Sequence, residues 1–378
     1  MKIVHLSDLH IGKRVNEFSM LEDQEYILTK IINVIDEQKP DGVIIAGDVY
    51  DKSVPSAEAV ELFDDFLVRL SKRDLKTFVI SGNHDSAERI AFGGRLMDKS
   101  GIYMSPVYNG TVAPITLTDE FGDVNIYMLP FVKPSNVRRF YPDSEIVSYT
   151  DAVKVAVDAM DIDVEKRNVL ITHQFVTGAV RTESEDISVG GTDNVDASVF
   201  ADFDYVALGH IHRSQKCGSE FIRYSGTPLK YSFSEAKDNK SVTVLNMNEK
   251  GNIELEFISL IPKRDMVEIK GTYEELTLKS FYESTTYTED YMHITLTDEE
   301  DVPDVLGKLR VIYKNIMKLD YDNKRTRTAN EITGAENVKE KSAFEHFSDF
   351  YELQNGQGLS DEQSEFISGI IDQIWEGK

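Results

Sequence analysis

The sequence predicts an α/β fold in which two mixed β-sheets stack on each other and helices flank them. Three observations carry this reading. Over the first hundred or so residues, short apolar runs alternate with amphipathic stretches of helical period. That order implies parallel strands joined by right-handed crossovers. From about residue 205, apolar or alternating runs follow one another without long helices between them, which suggests a second, more antiparallel sheet. Finally, five apolar runs end in Asp, His or Asn. In open α/β sheets, ligands bind beyond the carboxyl ends of strands.

Met1–Leu6 reads as a strand, and Asp8 and His10 leave its end. Residues 13–19 form a polar loop, with Lys13, Arg14 and Asn16 as candidates for phosphate contact or for a merely solvated loop. Met20–Gln38 reads as an amphipathic helix with Leu21, Leu28, Ile31, Ile32 and Ile35 on one side. Gly42–Ala46 is a strand ending in Gly47-Asp48, and Ala57–Leu70 is a Phe- and Leu-rich helix. Thr77–Ile80 is a strand whose tip is Gly82-Asn83-His84-Asp85. Gly82 permits a tight turn and a close backbone approach there. Ser86–Met97 reads as a helix interrupted by Gly93-Gly94.

Val124–Leu129 is a further strand, followed by a Pro-punctuated loop holding Lys133, Arg138 and Arg139, which is either a small basic patch for DNA or a solvated loop. Tyr149–Met160 reads as a helix, and Asn168–Thr172 as a strand with His173 at its end. Val176–Val195 is polar and reads as a loop. Tyr205–Leu208 ends in Gly209-His210-Ile211-His212, and Ser241–Leu245 and Ile253–Ile258 are later strands.

The pattern changes near Lys263, where a small α+β unit begins. Strands are expected at Asp265–Ile269 and Tyr291–Leu296, a short helix at Thr272–Lys279, a helix at Val302–Met317 and a last strand at Lys318–Tyr321. Four regions follow: 1–262, 263–323, a charged linker at 324–341, and 342–378. The last region carries two apolar stripes, Phe344, Phe347, Phe350 and Tyr351, then Phe366, Ile367, Ile370, Ile371, Ile374 and Trp375. Ser360 and Gln363 make a capping box between them. The stripes either pack back on the chain or dock into a partner groove.

A single His near a strand end is ordinarily a hydrogen-bonded structural residue. Asp-x-His and His-x-His set both side chains on one face of an extended segment, which is ligand geometry but also common by chance. The five tips together are much harder to explain structurally, and their mixture of oxygen and imidazole donors suits Mn, Fe or Zn.

The set Asp8-x-His10, Gly47-Asp48, Gly82-Asn83-His84-Asp85, His173 and Gly209-His210-x-His212 resembles the calcineurin-like metallophosphoesterase signature, in the family's order, over residues 1 to about 230. Within that superfamily the chain is similar to bacterial nuclease subunits that work with a coiled-coil ATPase. Lys2–Gly12, Gly47–Lys52 and Tyr224–Pro228 carry this likeness. The resemblance implies two divalent ions, Mn²⁺ foremost. One is held by Asp8, His10 and His212, the other by Asn83, His173 and His210, with Asp48 bridging them. It implies His84 as proton donor or electrostatic stabiliser at the leaving oxygen, with Asp85 orienting its imidazole. Archaeal relatives carry a further active-site histidine where this chain has Asp51, so a second catalytic histidine is not carried over.

The resemblance further implies a cap formed by 263–323 and DNA contacts from Lys13, Arg14, Asn16, Lys52, Arg138 and Arg139. It implies ATPase docking through Phe344, Phe347, Phe350, Phe366, Ile370 and Ile374. A homodimer is implied too, either through the 57–70 helix with the helix after Ser86, or with those apolar residues serving as core. The expected work is DNA cleavage in repair, recombination and replication, as 3′–5′ exonuclease and endonuclease.

With 41% hydrophobic and 28% charged residues, the composition is that of a soluble globular protein. The single cysteine, Cys217, cannot form an intrachain disulfide, and no signal-peptide pattern precedes the first strand, so a cytoplasmic location is expected, with action at the nucleoid. The net charge of −25 argues against autonomous tight DNA binding, because phosphate neutralisation supplies most non-specific affinity. Bound divalent cations reverse the sign locally, and a partner can supply the rest. No Walker-type loop is present, so any ATP hydrolysis belongs to a partner. A phosphatase or cyclic-nucleotide phosphodiesterase on the same site is the first alternative, disfavoured by the extra α+β unit and the apolar tail. A metal-free scaffold is the second, disfavoured by the presence of every ligand.

Overall fold

The computed structural model describes residues 1–185 and 193–324, and of the C-terminal region only 344, 347, 348, 351, 359, 360, 363, 364 and 366–368. The chain packs as two units, one of Met1–Thr295 with Pro303–Asp320, the other of Leu296–Val302 with Tyr321–Lys378.

The first six-stranded sheet runs in the order Ile253–Ser259, Ser241–Met247, Lys2–Leu6, Gly42–Ala46, Lys76–Ile80, Ile102–Met104. Its Lys2–Leu6, Gly42–Ala46, Lys76–Ile80 and Ile102–Met104 strands are parallel neighbours, and the helices Leu21–Gln38 and Ala57–Ser71 make the first two crossovers. The second sheet runs Gln215–Cys217, Ser219–Tyr224, Tyr205–Gly209, Arg167–His173, Gly122–Leu129, Ile115–Asp119.

The core has three layers, and strand alternation makes them. Along Gly42–Ala46, Val43 and Ile45 face the helices with Ile31, Ile35, Phe63 and Phe66. Ile44 and Ala46 face the other sheet, against Val169, Ile171 and Ala207. Along Arg167–His173, Leu170 points outward to Val153 and Val157 of the helix Tyr149–Asp158. Strands buried on both faces read as continuous apolar runs, which is why no polar alternation marks them in the sequence.

Several expectations need correcting. The late strands Ser241–Met247 and Ile253–Ser259 join the first sheet, the former antiparallel to Lys2–Leu6, and not the second. The centre of the second sheet is parallel, with Arg167–His173 between Gly122–Leu129 and Tyr205–Gly209. The Ser86–Met97 helix is two short pieces, Ala87–Ala91 and Gly94–Met97, because Gly93 turns the chain at φ 75°. The Val302–Met317 helix is only Val305–Arg310, since Asn315–Tyr321 becomes a strand beside Tyr291–Leu296. The loop after Leu129 contains a helical turn, Pro134–Arg138. Phe63, Phe66, Leu67 and Leu70 are core, whereas Phe92 and Leu96 lie open to solvent. Among the described residues no helix is long and apolar enough to cross a membrane.

Candidate metal centre

Five loops leave the carboxyl ends of Lys2–Leu6, Gly42–Ala46, Lys76–Ile80, Arg167–His173 and Tyr205–Gly209 and converge. The first two are zipped by backbone bonds, Asp8 N–H to Gly47 O at 3.0 Å and His10 N–H to Asp48 O at 2.9 Å. Asp8, His10, Asp48 and His210 all have positive φ, at 53°, 45°, 48° and 103°. Non-glycine residues seldom take this conformation, and it clusters where a surrounding structure forces side chains into a functional arrangement. The loops pass so close that a Cβ on Gly82 would lie 2.1 Å from Asp48 Oδ1, and one on Gly209 would lie 1.9 Å from Ala46 O. Only glycine fits at either position.

Each aspartate spends one oxygen on the backbone and keeps the other. Asp8 Oδ1 accepts the His210 N–H at 2.9 Å, and its buried Oδ2 has no hydrogen-bond partner. Asp48 Oδ1 accepts the His84 N–H at 2.9 Å. Its Oδ2 lies 3.3 Å from His173 Nε2, 3.7 Å from His10 Nε2 and 3.9 Å from His84 Nε2.

Two groups of donor atoms result, with Asp48 Oδ2 between them. In one, His10 Nε2 faces His212 Nε2 at 3.0 Å, and Asp8 completes a set that could hold an ion. In the other, Asn83 Oδ1 lies 3.0 Å from His173 Nε2 and 2.8 Å from His210 Nδ1. Each group thus brings its donor atoms close enough together to share one ion. His173 donates its other nitrogen, Nδ1, to Ala46 O at 2.9 Å, which leaves Nε2 as the free donor atom.

The electrostatics suit a cation. Burial holds His10 and His212 well below the ordinary histidine range and lowers His210 to about 3. These rings are therefore neutral, the form that ligates metals. Burial pushes Asp8 up to about 7, aided by the neighbouring Asp48 charge. Burial works against a charged His173, but the Asp48 carboxylate outweighs it and lifts the ring to about 9. An orphaned carboxylate oxygen, neutral imidazoles and hard oxygen donors together fit divalent metal ions.

His84 lies beside this cluster, 19% exposed, its ring in edge contact with His10. It also falls within a possible ion-binding set with His10 and Asp48. Its Nδ1 meets the Asp51 carbonyl at 3.0 Å. Asp85 does not take the expected role of orienting that ring. Its carboxylate accepts backbone N–H groups of Gly82, Val49 and Tyr50 at 2.9–3.1 Å, which braces the two loops against each other. Asp51 pairs with Lys13 Nζ at 2.8 Å.

Of the other expected DNA contacts, Arg14, Asn16, Lys52, Arg138 and Arg139 are exposed. Asn16 lines a cavity of about 500 Å³ with Tyr231, Phe233, Lys237, His293 and Lys318. The Tyr231 ring is also in edge contact with His10 and His212. Phe366 is 67% exposed and Phe347 38%, while Phe344 is half-buried. Phe350, Ile370 and Ile374 lie outside the described residues, as does most of the 324–341 linker. Sequence reasoning missed Ser184, Glu235 and Lys240, which stand behind His212. No spacing pattern marks them.

A family model described as calcineurin-like phosphoesterase matches residues 1–214. A second, described as type 5 capsule protein repressor C-terminal domain, matches residues 262–355. The SbcD component of the SbcCD nuclease of Staphylococcus epidermidis is 33% identical over 381 residues, covering 99% of each chain. The chain belongs to the SbcD family of calcineurin-like phosphoesterases. SbcD of Staphylococcus saprophyticus is likewise 33% identical, over 100% of this chain and 99% of that one. A solved dimetal phosphatase from Danio rerio is 8% identical, with a TM-score of 0.41 over 69% of this chain and 96% of that one. As an SbcD-family phosphoesterase the chain is a hydrolase of phosphodiester bonds, and the family implies divalent metals at the cluster described above.

Proposed function

We propose that this chain is the metal-dependent DNA nuclease subunit of an ATP-regulated SbcCD complex acting in DNA repair, recombination and replication. The observation that carries this reading is the pair of donor groups meeting at Asp48 Oδ2. Asp8, His10 and His212 would hold one ion and Asn83, His173 and His210 the other, with Asp48 between the two sets. Divalent ions bound there, Mn²⁺ foremost, would supply water activation and charge stabilisation for phosphodiester hydrolysis. His84 stands at the rim and donates a proton, or its positive edge, to the leaving oxygen. Asp85 keeps the Asp48 and His84 loops in register through its three backbone bonds.

Residues 1–262 form the nuclease domain and 263–323 the cap, and 324–341 link these to a partner-binding region at 342–378. Lys13, Arg14, Asn16, Lys52, Arg138 and Arg139 approach the DNA backbone, and an SbcC-type coiled-coil ATPase supplies the remaining positive surface. Phe344, Phe347, Phe350, Phe366, Ile370 and Ile374 dock that ATPase. The exposed Phe92 and Leu96 support a homodimer, and thus a heterotetramer with the ATPase. The expected activities are 3′–5′ exonuclease and endonuclease on duplex ends and hairpins, in the cytoplasm at the nucleoid.

Incubation of linear duplex DNA with Mn²⁺, with and without the ATPase, tests the proposal. Cleavage that requires Mn²⁺ and is increased by ATP only with the partner is expected. Hydrolysis of small phosphate esters with no DNA cleavage under either condition would favour a phosphatase instead.

A further inference from the structure

His212 is gripped from behind by residues outside the ligand set. Its Nδ1 lies 2.6 Å from Ser184 Oγ, and Ser184 Oγ lies 2.5 Å from Glu235 Oε1. Glu235 is fully buried, and its other oxygen lies 2.5 Å from the buried Lys240 Nζ. Lys240 also donates to the His212 carbonyl at 2.9 Å and to Thr227 Oγ1 at 2.8 Å. Glu185 Oε1 accepts the His212 N–H at 2.6 Å. The residue is therefore held at its ring, its amide and its carbonyl.

The chemistry fixes the direction of the ring bond. A carboxylate facing an ammonium only accepts hydrogen bonds, so the one hydroxyl proton of Ser184 goes to Glu235. Ser184 Oγ then offers a lone pair to His212 and accepts Nδ1–H. The imidazole carries its proton on Nδ1, and Nε2 is left as the donor atom that faces His10 across 3.0 Å.

We propose that Ser184 and Glu235, backed by Lys240, form a relay that fixes the tautomer and ring orientation of His212 for one ion only. They are positioning residues. The second group uses a different device, because His173 Nδ1 rests directly on the Ala46 carbonyl and needs no side chain behind it. His173 and His212 are thus held by different devices, one by backbone and one by a side-chain relay that the chain can lose by a single substitution. This inference rests on the two-ion reading above.

Mn²⁺ binding to the full chain, measured by calorimetry and by metal analysis after gel filtration, tests the relay without recourse to turnover. Ser184→Ala leaves the Glu235–Lys240 pair in place, so the buried charges stay matched and the fold is kept. The wild type is expected to bind two ions. Ser184→Ala should weaken one of them by about 10–100-fold, the usual effect of removing a partner behind a ligand, and leave the other unchanged. Ser184→Thr keeps the hydroxyl and should restore it. Equal weakening of both ions, unchanged binding in Ser184→Ala, or a threonine variant that behaves like alanine would overturn the relay. Fewer than two ions in the wild type would overturn the two-ion reading itself, and the relay with it.

Discussion

His10 Nε2 and His212 Nε2 stand 3.0 Å apart although 202 positions separate the residues in the chain. Neither ring reaches the other by local geometry. Lys2–Leu6 delivers His10 from the first sheet and Tyr205–Gly209 delivers His212 from the second. The apolar layer between the sheets, with Ile3, Ile44, Ile171 and Ala207 fully buried, holds the two loops in register. The site is therefore a property of the sandwich.

Asp48→Asn keeps the shape of the side chain and removes the charge shared by both donor groups. The variant is expected to fold, to lose at least one ion and to lose activity by more than about 100-fold. Metal content and cleavage rate in one preparation check this. Two retained ions with full activity would remove Asp48 from the centre.

His84→Gln is expected to keep both ions and to lose turnover by about 10²–10⁴-fold, the range for general-acid catalysis. The ring lies 3.9 Å from Asp48 Oδ2, close enough to act at the rim. Metal analysis beside the rate decides the role, since metal content falling in parallel with rate would make His84 a ligand.

Ion binding should release protons. In the metal-free chain His173 sits at about 9 and Asp8 at about 7, both raised above their ordinary values of 6.5 and 3.8. At pH 7 His173 is therefore protonated and Asp8 partly so, and ligation removes both protons. Affinity rises as pH climbs through 7 toward 9. The sign for metal-free stability is opposite. Both groups hold protons more tightly when folded, so their contribution is full below the unfolded values and is lost as pH rises through the folded ones. Calorimetry at pH 7 in two buffers of different ionisation enthalpy should show release of about one to two protons per chain. A buffer-independent heat would contradict the linkage.

Much of the centre was legible because its ligands sit at strand ends, where an apolar run stops and a polar tip begins. Asp8, His10, Asp48, Asn83, His173, His210 and His212 all stand out in this way and all converge. Sheet membership was less legible. Ser241–Met247 is buried on both faces, and nothing in its own periodicity says that its partner is Lys2–Leu6, far back in the chain. Glu235 and Lys240 are buried as a pair, a result of tertiary packing that no local pattern encodes. The role of Asp85 was hidden for the same reason, since two of its backbone partners come from a neighbouring loop.

A chain ending at residue 335 should fold, bind both ions and keep weak nuclease activity, while failing to co-purify with an SbcC-type ATPase. The apolar side chains removed are each worth about 1.5–3 kcal/mol when buried, enough together to anchor a subunit. Co-purification and melting temperature are read on the same preparation. A large drop in melting temperature would show the tail packing on the chain itself, and undiminished ATPase binding would place the docking surface elsewhere.

The most direct measurement is anomalous diffraction at the manganese edge from crystals grown with Mn²⁺. Two peaks about 3.5–4 Å apart, with the Asp48 carboxylate contacting both, are expected. A single peak, or two peaks of which Asp48 touches only one, would contradict the shared-carboxylate centre on which the proposed nuclease chemistry depends.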